Sequence, residues 1–167
     1  VCAVGPDTVG RLLPGEYGDD LIPTESRAVG AACLDLVLSE WTHTERNVVI
    51  GIDSPLYVSN HSKYARLGSD GRHVVHAVRY DTGDGSTPEE HRREIEDLMD
   101  RLEPGWRHHV VDSRFMPSLN VIEHLPTAAE GGLASRPDVQ PPGGGRISFV
   151  GDWVGSDGWL SDAVAAS

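Results

Sequence analysis

The sequence predicts an α+β fold, an antiparallel sheet of short strands with one main helix. Three observations carry this. From Arg27 to Trp41, "RAVGAACLDLVLSEW" alternates in character with a period of two, which suits a strand with one better-buried face. The runs "NVVIGID", "LYVSNHS" and "RHVVHAVRY" then follow one another across short turns, as in a meander rather than in helix-crossed parallel units. One stretch, "TPEEHRREIEDLMDRLEPG", carries complete helix start and stop signals.

Taken in chain order, "VCAVG" is a short apolar strand closed by Gly5-Pro6, and "PDTVGRLLPG" a short helix between Pro6 and Pro14-Gly15. In the segment 27–41, Ala28, Gly30, Ala32, Leu34, Leu36 and Leu38 fall on one parity; Ala and Leu also favour helix, the rival reading there. The three Val- and Tyr-rich strands come next, the first two flanking the turn Asp53-Ser54-Pro55. The main helix spans 88–103: Thr87 caps it, Pro88 takes its first position and Glu90 completes a Thr-x-x-Glu box. Ile95, Leu98, Met99 and Leu102 form its apolar stripe, and Pro104-Gly105 stops it. "HHVVDSRFMP" and "SLNVIEHLP" read as two further strands, residues 127–145 as a Gly/Pro loop without periodicity, and "RISFV" as a last strand before a helix starting near Gly158.

A formal charge of −12 opposes a nucleic-acid or anionic-membrane surface, because phosphate binding needs clustered Lys and Arg. The local basic pairs, such as Arg92-Arg93, sit among acids and read as solvated faces. Cys2 and Cys33, the two cysteines, lie in apolar runs where a reduced thiol acts as a small hydrophobe, so no disulfide framework is indicated. No run of 18 apolar residues occurs. The expected compartment is the cytoplasm, with membrane association and oligomeric state left open. Adjacent or three-apart histidines on strands (His108 and His109, His73 and His76) diverge, and no His-Glu-x-x-His or paired-Cys motif is present, so no metal site is expected. A small hydrolase is a weak alternative, since no Gly-x-Ser-x-Gly elbow occurs.

The chemistry concentrates at the end, in "RISFVGDWVGSDGWLSDAVAAS". A strand delivering Gly151-Asp152 at its carboxyl end, then glycines and a helix start, is where open α/β sheets place polar ligands. Asp152 is a short acceptor suited to sugar or polyol hydroxyls, and an ordinary N-cap is the plainer reading. Trp153 and Trp159 flank the motif, either shielding a ligand or simply packing.

This stretch resembles the C-terminal FAD-binding signature of the amine-oxidase and phytoene-desaturase-like flavoproteins. Gly151 and Asp152 match the family's Gly-acid pair, and Gly158, Trp159 and Leu160 its turn into the helix facing the flavin. "VCAVGPDTVGRLLPG", "LEPGWRHHVV" and "PTAAEGGLASRPDV" are similar to further family segments in the same order. The resemblance implies an FAD-dependent hydride transfer from a C–H bond of a small apolar or amine substrate, with no catalytic base singled out. It implies the end of an FAD-domain segment and crossover at 1–26, a substrate domain at 27–126, a loop at 127–145 and the last strand and helix of an incomplete Rossmann-like FAD domain at 146–167.

No Gly-x-Gly-x-x-Gly follows a strand here, so the dinucleotide half of that site is expected elsewhere than in these residues. Val1 opens inside an apolar run and Ser167 closes a short helix, so the chain reads as a fragment, inactive and poorly folded alone with exposed strand edges at "VCAVG" and "RISFV". The alternative is a non-catalytic remnant acting as a binding module. If the Trp159 and Leu160 amides face the flavin, Gly158→Val lowers both flavin content and the rate of flavin reduction in the full-length protein.

Overall fold

The computed structural model describes residues 1–13, 27–68, 70–140 and 146–155. The chain divides into two compact units, one of residues 30–119 and the other of residues 1–29 with 120–167.

The unit of residues 30–119 is a five-stranded antiparallel sheet with one long helix. Its strands are β1 (Val29–Leu38), β2 (Val48–Ile50), β3 (Leu56–Asn60), β4 (His73–Tyr80) and β5 (Val110–Ile122), in the spatial order β2-β3-β4-β1-β5. Of the period-two segment 27–41, residues 29–38 fold as strand. The register sets Leu34 opposite Ala77 and Leu36 opposite Val75, so the middle of one face of β1 and β4 is apolar. Across the β2–β3 turn an added Cβ on Gly51 would meet the Ser54 carbonyl oxygen at 2.4 Å, which is why the hairpin needs glycine there.

Helix α2 (Pro88–Leu102) seals that apolar face. Its capping box is formed: the Glu90 N–H donates to Thr87 Oγ1, and Thr87 N–H to the Glu90 carboxylate. Ile95 and Met99 are fully buried and, with Leu102 and Trp106, pack against Ala32, Leu34, Leu36, Leu38, Val75 and Ala77. Burying side chains of this size contributes roughly 1.5–3 kcal/mol each. Arg79 projects from β4 onto the same face and is buried. Burial opposes its charge, but hydrogen bonds to Asp84 and to Glu94 of α2 hold it protonated. Of the helix carboxylates expected on a solvated face, Glu94 thus grips β4, while Glu96 pairs with Arg92 one turn before it.

Two expectations fail at β5. The runs "HHVVDSRFMP" and "SLNVIEHLP" form one 13-residue strand, not two. The presumed break, Pro117, lies within it, as proline can in an edge strand, and β5 stands at the edge of this sheet. The strand also begins later than expected, since Trp106–His109 form a 3-10 turn.

The second unit is mostly loop around a small core. Helix α1 (Pro6–Leu12) starts at Pro6 as expected and buries Val9. "VCAVG" and "RISFV" are not full strands. They meet in a single parallel bridge, Cys2 with Phe149, closed by Cys2 N–H to Ser148 O and Val150 N–H to Cys2 O. The segment 127–145, expected to lack structure, holds two 3-10 turns, Ala128–Glu130 and Gly132–Ser135, the first with its own Thr127–Glu130 capping box. Both cysteines are free thiols.

Glu103, at the end of α2, is 1% exposed and accepts hydrogen bonds from Thr42 N–H (2.9 Å), Thr42 Oγ1 (2.5 Å) and His43 N–H (3.2 Å). Burial opposes its ionisation, and these donors outweigh burial, so its pKa falls below the ordinary glutamate value. A depressed carboxylate stabilises fully above its unfolded pKa of about 4.3, and that contribution fades as pH falls through the lower folded value. Urea denaturation across that window is expected to show Glu103→Gln less acid-sensitive than wild type, and about 1–3 kcal/mol less stable at neutral pH. His91 on α2 is buried, with both ring nitrogens unbonded among the described residues. His91→Leu removes an unsatisfied polar group and is expected to raise stability by about 1 kcal/mol in the same assay.

Candidate functional site

Two places carry chemistry, one in each unit. In the second unit the bridge at Phe149 leads into Gly151-Asp152. Asp152 Oδ2 accepts the Glu123 N–H at 2.8 Å, so one carboxylate oxygen fastens the turn to the residue just after β5. Its other oxygen takes no hydrogen bond among the described residues. Trp153 is fully buried, donates its Nε1–H to the Val4 carbonyl at 2.9 Å and lies 5.6 Å from Phe149, ring to ring. It packs within this unit's core with Val9 and Val154. Gly151 permits that packing, because a Cβ there would sit 3.0 Å from the Trp153 indole.

Of the sequence-predicted cofactor residues, Gly151 and Asp152 thus occupy one turn, while Gly158, Trp159 and Leu160 lie outside the described residues. A residue not singled out from sequence is Arg136, in the Gly-Gly-Leu-x-x-Arg-Pro stretch. It is 7% exposed, and its Nε and Nη1 have no hydrogen-bond partner among the described residues. An isolated buried guanidinium is costly, by several kcal/mol, unless an anion satisfies it. Nothing in a lone Arg-Pro distinguishes it from a surface arginine; only burial does.

The other place is the sheet face turned away from α2. Register places Asp35 of β1 directly opposite His76 of β4, and His76 opposite Ser59 of β3. Asp35 Oδ1 lies 2.5 Å from His76 Nδ1, and both side chains are about one-third exposed, 32% and 37%. The His61 ring stands edge-on to His76 at 4.5 Å. His61 is disfavoured as a cation first by burial and then by its neighbour His76, which lowers its pKa. Beside the pair is a cleft of about 210 Å³, walled by Val37 and Val74 and by Asp112, Ser113 and Arg114 of β5. His73 belongs to the opposite face, where Nδ1 meets the Asn60 amide at 3.1 Å. The two histidines diverge, as alternation requires, but sequence could not show that Asp35, 41 residues earlier, would face one of them. Among the described residues no group of three His, Cys, Asp or Glu side chains converges to hold a metal ion, and no helix is long and apolar enough to cross a membrane.

No protein-family model matches the chain, and no curated protein matches it. Among solved structures, an oxidoreductase from Methanosarcina mazei is similar in fold, with a TM-score of 0.59 and 15% sequence identity. The likeness covers 98% of this chain and 40% of that one, so the chain spans well under half of that protein's length. At this identity the likeness is one of fold.

Gly151→Ala is expected to push the indole out of its seat and destabilise the second unit by about 1–3 kcal/mol. Near-UV circular dichroism, which reports the packing of Trp153, is expected to lose intensity with it.

Proposed function

We propose that this chain forms part of a flavin-dependent oxidoreductase of the amine-oxidase or phytoene-desaturase-like class, acting on a small apolar or amine substrate. The observation that carries the reading is its likeness in fold, along 98% of its length, to part of an oxidoreductase. The Gly151-Asp152 turn, and the resemblance of the motif around it to an FAD-binding signature, support FAD as the cofactor.

The residues present fit such a group. Arg136, buried with two guanidinium nitrogens unbonded among the described residues, suits an anion, and the two phosphates of FAD are anionic. Asp152 keeps a carboxylate oxygen, unbonded among the described residues, that would accept a hydroxyl of a polyol chain. When bound, FAD would supply the hydride acceptor. The protein's own contribution is to bind and orient. In this reading Arg136 neutralises phosphate charge, Asp152 fixes a hydroxyl, and Trp153 with Gly151 holds the turn rigid so that neither group must be reorganised on binding.

The test is flavin uptake by the natural polypeptide containing this chain, read from the flavin absorbance that survives gel filtration. Retained flavin is expected, with roughly tenfold weaker binding in Asp152→Ala, the loss of one hydrogen bond to a charged group. Arg136→Met carries a double signature. It is expected to weaken FAD binding by at least that factor while raising the stability of the flavin-free protein, since a buried unpaired charge is gone. A natural polypeptide that neither retains nor takes up FAD would overturn the reading.

A further inference from the structure

The Asp35–His76 pair lies entirely within the sheet unit, and neither the flavin reading nor the motif around Asp152 uses it. Its geometry fixes a tautomer. Asp35 Oδ1 accepts at Nδ1, so the neutral imidazole carries its hydrogen there and leaves the Nε2 lone pair free. Among the described residues Nε2 takes part in no hydrogen bond. His76, whose Nε2 is unbonded among the described residues, therefore lines a cleft of about 210 Å³ whose apolar side chains are those of Val37 and Val74.

That volume is below the roughly 300–1,000 Å³ of pockets that hold drug-sized ligands. It suits a small ligand, or the head of a longer one. The apolar floor and the single oriented acceptor together specify its chemistry: an apolar body and one hydrogen-bond-donating group. Opposite charges on Asp112 and Arg114 share the rim, so the cleft does not select a strongly anionic ligand.

We propose that this cleft is a binding site for a small, partly apolar molecule bearing a hydroxyl or amine, whose O–H or N–H donates to His76 Nε2. Asp35 is the positioning residue that keeps the lone pair on that atom. His61, edge-on to the ring, limits its rotation. The site holds whether or not the protein binds FAD, so the two readings can fail independently.

The test is nuclear magnetic resonance on the full chain with 15N-labelled histidine, using benzyl alcohol, benzylamine and toluene as probes. In the free protein His76 is expected as the Nδ1–H tautomer. Benzyl alcohol or benzylamine is expected to shift the Nε2 resonance and to bind about threefold to tenfold more tightly than toluene, the effect of one net hydrogen bond. Whichever of the two binds more tightly identifies the head group. Asp35→Asn is expected to lose the tautomer bias and the preference over toluene, and Asp35→Glu to restore part of both. Val74→Trp, which fills the cleft and leaves both residues of the pair in place, is expected to abolish binding while the tautomer remains. An Nε2 resonance unmoved by both donors, or full preference retained in Asp35→Asn, overturns the proposal. Flavin content measured on the same variants is expected to be unchanged.

Discussion

The sheet unit depends on one contact, the seating of a single amphipathic helix on one face of five strands. Ile95, Met99 and Leu102 of α2 fill the space over Leu34, Leu36, Val75 and Ala77, and Trp106 closes its end. A sheet whose core face is apolar must bury it, and here one helix does so. The consequence lies on the other face. Because alternate residues of β1 and β4 are committed to the helix, the residues between them (Asp35, Val37, Val74 and His76) are free of that duty and can be polar. The clamp that fixes the helix is itself polar: Arg79 reaches from the core face to Glu94 and Asp84, and Glu103 ties the helix end to Thr42 and His43. Charged groups at the margins of the apolar contact set its position and add to the stabilisation that burial supplies.

The second unit works differently. With no long strand or helix of its own among the described residues, it gathers around two aromatic rings, Phe149 and Trp153. The indole N–H finds a backbone acceptor in Val4, so even the polar atom of the buried tryptophan joins residues far apart in sequence. Its tight seating needs the missing side chain of Gly151. The glycine matched to the family's Gly-acid pair thus has a packing reason of its own, its closeness to a tryptophan.

Two buried basic side chains show how context decides role. Arg79 and Arg136 are buried to a similar degree, but Arg79 is bonded to two carboxylates and a carbonyl, and Arg136 leaves two nitrogens unbonded among the described residues. The first is a structural clamp. The second is an unfinished interaction, which is why it enters the proposed cofactor site while Arg79 does not.

Local chemistry was legible in the sequence. Thr87, Pro88 and Glu90 specify a helix start through bonds that span three residues, and the alternation of 27–41 specifies a strand, because both signals lie within a few positions of the atoms they govern. Terminal glycines and Asp152 marked a turn for the same reason. What the tertiary structure alone decided are pairings over long separations. Pro117 sits inside a strand because β5 lies at the edge, and only the order of strands makes an edge. Asp35 meets His76 because β1 pairs with β4 in one register rather than its neighbour. A slip of one residue would send the two side chains to opposite faces, and no local pattern records which register wins.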